Sequence, residues 1–410
     1  MCKGLFGKGK YHAVISTRKT GANENVLMAL ACEGTLKIIL IWIFRKKIDA
    51  FCKQIETKPF LPDHNRGGNI EYRYIQNAII ACNYQGYIFY VLVVGIVLPK
   101  IFYSLRDSGY NTVFDPYVNA TIQVKRKRAG PFNCVVPFNA IDSPYFEIVA
   151  IYQALSASIH GCIIGSVDAF ICGIMCHLKA QLLILKNSLR TYIQRGVFLM
   201  KQDNHDHEAT NAITVLKKND NTDEVGKLPL ILQKYVHIAV NEIIVHHQKV
   251  IQLGQDAEET FSLLMLVQFL FSLSIICCQL FQLSILTVGS AQFYSMCLYA
   301  ILMLFQIFLF CYRGNEVMLH SYDIIDAIFA SDWVIIATKT QKSLLLMMTR
   351  ASEPIRLTAG KFVFLSLVAF MSLIGFADNL MMIVVPKPEE VLMNITEMAL
   401  QRISIWTEEQ

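Results

Sequence analysis

The most constraining feature of this sequence is a stretch of fifty-two residues, Phe261 to Tyr312, without one Asp, Glu, Lys, Arg or His. A helix needs roughly 20 apolar residues to cross a bilayer, so this stretch is long enough to cross twice. Its only turn-forming segment is Thr287 to Gln292. The sequence therefore predicts two long membrane helices joined by a very short connection.

The composition argues against a soluble protein and against a nucleic-acid-binding protein. Hydrophobic residues make up 54% of the chain and charged residues only 17%. The net charge of +5 comes from basic residues that lie between apolar stretches and form no extended basic face. Many of the twelve cysteines lie within apolar stretches, which is typical of small packing residues. The sequence contains no catalytic motif, so we expect neither an enzyme nor a bound cofactor or metal.

Four further segments are predicted to span the membrane. They are Val26–Phe44, which contains Glu33 and Lys37, and the more apolar Ala78–Pro99, Ile148–Leu178 and Phe362–Pro386. With the first pair, the count is six spans of about 30 Å each. We therefore predict an all-α fold, a polytopic membrane helical bundle.

The Lys and Arg residues between the spans predict the orientation of the chain, because such residues are retained on the cytoplasmic side. The links Arg45–Arg73, Lys186–Glu259 and Arg313–Lys361 are basic and are predicted to be cytoplasmic. The loop 104–145 is predicted to be extracellular despite its basic run Lys125–Arg128. Two glycosylation acceptors, Asn119 and Asn394, also fall outside on this topology.

Two cytoplasmic segments are predicted to be amphipathic helices that form an inner anchor layer. One begins near Leu228 and continues into the span at Phe261, and the other covers Trp333–Met348. The predicted regions of the chain are 1–24, a basic polar N-terminus; 25–185, membrane helices with the loop 104–145; 186–259, a cytoplasmic loop and helix; 260–313, two membrane helices; 314–361, the anchor segment; 362–386, the last helix; and 387–410, an extracellular tail.

Two acidic residues lie within predicted spans, where a charge is expensive and usually faces water or a partner. Asp378 falls on one helical stripe with Met371, Gly375 and Met382, so this face could line a cation pore. A bond from Asp378 to a neighbouring helix explains the sequence equally well. Asp168 is predicted to be a buried carboxylate bonded to a Ser or His on an adjacent span.

Several segments resemble the insect odorant receptor family. They include Phe310-Cys311-Tyr312-Arg313-Gly314-Asn315-Glu316 with Trp333, then Ala359-Gly360-Lys361-Phe362, and upstream Ser143-Pro144-Tyr145. The resemblance runs from about Asn25 to Val384. It implies a seven-span architecture with an internal N-terminus, so the first family span is expected to be missing from this sequence.

The resemblance further implies a ligand-gated, poorly selective cation channel in the plasma membrane of olfactory sensory neurons. The channel would be a heterotetramer with the shared odorant co-receptor, in contact with membrane lipid, and would bind small volatile ligands. The ligands would bind in the outer half of the bundle, which contains Tyr90, Val94, Phe102, Tyr152, Ser156, Tyr294 and Tyr299.

The last span departs from the family pattern, because Gly375-Phe376-Ala377-Asp378 places a charge where the family has an apolar gate. The alternatives are a gustatory receptor of the same superfamily or a seven-helix G-protein-coupled receptor. The sequence motifs that would favour either one are absent.

Overall fold

The computed structural model describes residues 5–63, 66, 68–107, 110–115, 120–125, 128, 130–132, 143–203, 228–286 and 291–384. Within this part of the chain seven helices run in sequence. They are α1 (Leu5–Ile55), α2 (Asn69–Arg106), α3 (Tyr145–Gln202), α4 (Leu230–Ile285), α5 (Ala291–Phe329), α6 (Thr338–Ala351) and α7 (Leu367–Val384). The predicted all-helical fold is confirmed.

Two small antiparallel hairpins interrupt the helical pattern. Strands β1 (Tyr110–Asp115) and β2 (Ala120–Lys125) pair within the loop that was predicted to be extracellular. Strands β3 (Thr358–Ala359) and β4 (Val363–Phe364) pair between α6 and α7. The second hairpin forces the chain to reverse just before the last helix.

Four helices contain segments long and apolar enough to cross a membrane: Asn69–Arg106, Tyr145–Gln202, Leu230–Leu283 and Met296–Phe329. The last helix adds a shorter apolar segment, Leu367–Phe376. Helix α1 is not among these four, and it carries Glu33 and Lys37 in the predicted span Val26–Phe44. The count of six spans is therefore approximate.

Helix α3 lies at the centre of the bundle. It packs against α2, α4 and α5, and α1 packs mainly against α4. At a rise of 1.5 Å per residue, the 58 residues of α3 extend about 87 Å, far beyond the hydrocarbon thickness. The core continues into this extension, where Leu189, Leu232 and Ile328 are fully buried. A packed helical layer therefore continues beyond the membrane part, as predicted.

The predicted cytoplasmic helices are observed, with one difference in bounds. Helix α4 starts directly after Pro229 and runs without a break through Phe261, as predicted. The second helix was predicted over Trp333–Met348, but α6 begins only at Thr338. Turns occupy the preceding residues, where Trp333 N donates to Ser331 O and Ile335 N donates to Asp332 O. Local backbone bonds thus replace the first helical turn.

Candidate functional site

A cluster of buried polar side chains joins four helices in the interior of the bundle. We call it the inner ion cluster; it consists of Glu33 and Lys37 on α1, Asp168 on α3, Gln268 and Ser272 on α4, and Gln306 on α5. All six residues are at most 5% exposed. Charged side chains at this depth require partners, because burial in an apolar medium strongly disfavours an isolated charge.

Lys37 is the centre of the inner ion cluster. Its Nζ lies 2.7 Å from Asp168 Oδ1 and 2.9 Å from Glu33 Oε1, and it also donates to Gln268 Oε1. The two carboxylates come from different helices, so the ammonium holds α1 and α3 together. One lysine thus provides the positive charge for two buried acids.

The remaining members of the inner ion cluster add further hydrogen bonds, while both Glu33 oxygens have no hydrogen-bond partner among the described residues apart from the ion pair with Lys37. Gln306 Nε2 donates to the second oxygen of Asp168, and Gln268 Nε2 donates to Ser272 Oγ at 2.6 Å. Asp168 was predicted to be buried, and it is. Its partners are Lys37 and Gln306, however, and not the predicted Ser or His, because α1 brings a full counter-charge to this position.

Three further side chains with buried polar atoms follow Gln268 on α4 and precede Gln306 on α5, which is toward the predicted outer side. We call Gln279 and Gln282 on α4 and Tyr299 on α5 the outer polar groups. Among the described residues, both amide atoms of Gln279, Nε2 of Gln282 and Oη of Tyr299 are buried without a hydrogen-bond partner. Gln279 is eleven residues beyond Gln268 on the same helix, a rise of about 16 Å.

Unsatisfied buried polar groups are unusual in native proteins, and each calls for an explanation. The outer polar groups lie within an apolar setting, since Ile275 and Ile276 on α4 are buried and the Tyr299 ring packs against the core. An apolar interior with a few available donors and acceptors has the character of a site for a small, weakly polar ligand.

The predicted ligand-contact residues occupy two environments. Six of the seven are exposed on the surface of the single chain: Tyr90, Val94, Phe102, Tyr152, Ser156 and Tyr294. Tyr90 already uses its hydroxyl, which lies 2.9 Å from Ser166 Oγ. Tyr299 alone of the seven has its hydroxyl buried inside the bundle. The seven residues stay predictions.

The predicted pore residues lie on α7. Met371 and Gly375 are exposed in the single chain, while Phe370 and Leu373 on another face of the helix pack against the core. The Phe370 ring meets Phe308 of α5 at 5.4 Å between centroids. The side chains of Asp378 and Met382 lie outside the described residues, as do Asn119 and Asn394.

Within the described part of the chain, no group of three or more His, Cys, Asp or Glu side chains is arranged to hold a metal ion. Cys172 and Cys176 are buried in the core of α3.

In the sequence, Glu33 and Lys37 were recognised only as charged residues that weaken the prediction of a span over Val26–Phe44. Their spacing of i and i+4, with opposite charges, was the available signal for a pair on one helix face. The amides of Gln279 and Gln282 were also not singled out. A glutamine in an apolar span gives no indication of whether it will find a partner.

Comparison with known proteins identifies the family. The family model described as 7tm Odorant receptor matches residues 20–377. Odorant receptor 10 of Aedes albopictus is 28% identical over 142 residues, which is 35% of this chain and 38% of that protein. Putative odorant receptor 92a of Drosophila melanogaster is 26% identical over 173 residues, or 42% and 40% of the two chains. The matched region thus spans about two fifths of these relatives.

The fold is similar to that of a solved receptor. The insect olfactory receptor OR5 from Machilis hrabei, in complex with eugenol, superposes with a TM-score of 0.65 at 16% sequence identity. The superposition covers 89% of this chain and 81% of that one. With the family model matching most of its length, this chain belongs to the insect odorant receptor family.

Proposed function

We propose that this protein is an odorant-binding subunit of a ligand-gated, non-selective cation channel. It would act in the plasma membrane of olfactory sensory neurons, as a heterotetramer with the shared odorant co-receptor. Family membership and the receptor fold support this proposal. The observation that carries it is the set of outer polar groups, which are buried and unpartnered within an apolar bundle.

The ligand is proposed to be a small, weakly polar molecule. Burying its apolar surface provides most of the affinity, at about 25 cal/mol per Å². Tyr299 Oη and the Gln279 amide can each donate or accept one hydrogen bond, so a hydroxyl or carbonyl group on the ligand would be recognised there. Residues such as Tyr90 and Tyr152 are proposed to contribute at the periphery.

The pore is proposed to be lined by α7. The exposed positions Met371 and Gly375 form the face that would meet the same helix of other subunits, while Phe370 and Leu373 hold the helix to its own bundle. By their spacing in the sequence, Asp378 and Met382 are proposed to belong to the same helical stripe, one and two turns further along. A carboxylate at the pore surface would favour cations.

The test is whole-cell current in cells that express this chain with the co-receptor, across a panel of volatile compounds. We expect an agonist-dependent cation current that requires both chains. The co-receptor alone is the control for currents that do not depend on this chain. No agonist response from complexes verified at the cell surface, over a broad panel, would contradict the proposal.

The pore assignment has a separate test. Asp378→Ala is expected to change the relative permeability to Na⁺ and Ca²⁺, because it removes a negative charge from the conduction path. Asp326→Ala, which removes an exposed carboxylate from α5, is the matched control. Equal permeability ratios in all three proteins would exclude a pore-facing carboxylate.

A further inference from the structure

The segment 352–366 joins α6 to the last helix, and we call it the connector. It contains the β3–β4 hairpin, and its turn uses two residues with left-handed backbone, Gly360 at φ 63° and Lys361 at φ 65°. Leu365 N donates to Leu357 O at 2.9 Å and closes the hairpin just ahead of α7. The direction in which α7 leaves the anchor layer is therefore fixed by the connector.

One face of α4 holds the connector along its length. This face consists of Gly254, Glu258, Ser262 and Leu266, which are spaced at four-residue intervals. At Gly254 an added Cβ would lie 2.6 Å from Ile355 Cγ2. Ser262 O accepts from Gly360 N at 2.9 Å, and Gly360 packs so closely on Leu266 that a Cβ would lie 2.6 Å from Leu266 Cδ2.

Glu258 provides the strongest contact in this set. Its Oε2 accepts from the backbone N of Thr358 at 2.7 Å, and its Oε1 accepts from the Thr358 hydroxyl. The Thr358 hydroxyl oxygen in turn accepts from Lys361 N at 3.0 Å. Hydrogen bonds to a charged acceptor are stronger than neutral ones. A single carboxylate thus fixes both the first strand and the turn of the hairpin.

Helix α5 holds the other side of the connector. Ile355 N donates to Ser321 Oγ at 3.1 Å. Gly314 lies directly against Leu365, whose carbonyl oxygen would be 2.7 Å from an added Cβ. The connector is therefore held by two helices that also reach the interior of the bundle.

Helix α4 runs without a break from the connector to the ligand side of the bundle. Gln268 of the inner ion cluster is ten residues beyond Glu258, a rise of about 15 Å, and Gln279 follows further along the same helix. A displacement of α4 at the outer polar groups would therefore be transmitted to the base of α7 through Glu258.

We propose that Glu258 is a positioning residue for channel gating, which attaches the base of the last helix to α4 so that ligand binding can open the pore. This inference rests on the proposed channel function. The coupling is assigned to one carboxylate and one hairpin, which are separate from the residues proposed above for the ligand site and the pore.

The test is Glu258→Ala in complexes with the co-receptor. We expect the agonist concentration for half-maximal current to rise about tenfold, which is within the usual range for the loss of coupling between two sites. The maximal current per surface receptor should also fall. Thr358→Val is expected to give a smaller shift, since the backbone bond to Glu258 remains, and Thr358→Ser is expected to restore the wild-type value. The shifts of Glu258→Ala and Thr358→Val should not add fully in the double variant, because Glu258→Ala already removes the bond to the Thr358 hydroxyl that Thr358→Val removes.

Glu259→Ala is the matched control, as it removes the neighbouring, exposed carboxylate of the same helix. A purely structural role would lower surface expression and leave the half-maximal concentration unchanged, and that result overturns the proposal. Should the wild-type complex give no agonist current, the proposed function fails. Hydrogen exchange of the purified chain then tests separately whether Glu258 attaches the connector to α4. Exchange at Thr358 and Gly360 should rise about tenfold in Glu258→Ala. Unchanged protection would overturn the attachment itself.

Discussion

The inner ion cluster and the outer polar groups are both buried and polar, but they differ in how their hydrogen bonds are satisfied. In the inner ion cluster, one ammonium pairs with two carboxylates and Gln306 bonds the second oxygen of Asp168, although neither Glu33 oxygen has a hydrogen-bond partner among the described residues beyond this ion pair. The outer polar groups have no partner among the described residues. Since an unsatisfied buried group destabilises a fold and a paired network can specify it, the first set, in which most charges are paired, is suited to structure, and the second set is suited to recognition.

The largest expected effect is the loss of the positive charge from the inner ion cluster. Lys37→Met leaves Glu33 and Asp168 as two buried acids without a counter-charge, and breaking a buried pair in this way costs about 3–5 kcal/mol. We expect little folded protein at the cell surface and a much lower melting temperature in detergent. Lys53→Met on the same helix is the control, because the Lys53–Asp49 pair is 72% and 65% exposed. Wild-type stability of Lys37→Met would contradict a structural role for the inner ion cluster.

A smaller effect is expected where the connector meets α5. In Gly314→Ala the new methyl group would collide with Leu365, and overpacking of this kind costs about 1–3 kcal/mol. Gly375→Ala on α7 is the matched substitution, as no atom from elsewhere in the described part of the chain lies within 4 Å of its added Cβ. Thermal melting of the two variants should separate them. Equal melting temperatures would mean that Leu365 and the connector can move away from the added methyl group at little cost in stability.

Substitutions in the outer polar groups are expected to weaken ligand binding and to leave the stability of the fold unchanged. Tyr299→Phe removes a hydroxyl with no partner in the described chain, so the melting temperature should not fall. The half-maximal concentration of an agonist with a hydroxyl or carbonyl group should rise about two- to tenfold, since a hydrogen bond contributes about 0.5–1.5 kcal/mol. Gln279→Leu should behave in the same way. A loss of stability without a change in agonist response would mean that the outer polar groups stabilise the fold and do not recognise the ligand.

The smallest effect is expected at Tyr90. Its hydroxyl is paired with Ser166 and its ring is 40% exposed, so Tyr90→Phe removes only one exposed hydrogen bond. We expect less than about a twofold change in the half-maximal agonist concentration, because such surface substitutions usually lie within 0.5 kcal/mol. The measurement is the agonist dose–response curve of Tyr90→Phe, recorded together with that of Tyr299→Phe. A larger shift at Tyr90 than at Tyr299 would place the ligand at the exposed face.

Much of the fold could be predicted from the sequence, because long apolar stretches have few alternatives in a bilayer. The apolar run from Phe261 predicted the pair of long helices α4 and α5, and the pattern from Leu228 predicted that α4 begins well before its apolar segment. The start of α6 was predicted five residues too early, since apolar spacing does not show that backbone bonds near Asp332 form turns first.

The candidate site was harder to predict. Aromatic residues in the outer segments suggested ligand contacts, yet the orientation of each side chain depends on how the helices rotate against one another. Tyr299 and Tyr294 lie on the same helix, five residues apart, and only Tyr299 has its hydroxyl buried. A difference of this kind follows from packing and has no signal in composition.

The sequence by itself determined that this protein is a membrane bundle of long helices, because hydrophobic length acts locally along the chain. Only the tertiary structure decided that Lys37 pairs with Asp168 across 131 positions, and that Glu258 attaches to a hairpin 100 positions away. Contacts at such separations depend on the relative placement of whole helices, which no local pattern specifies.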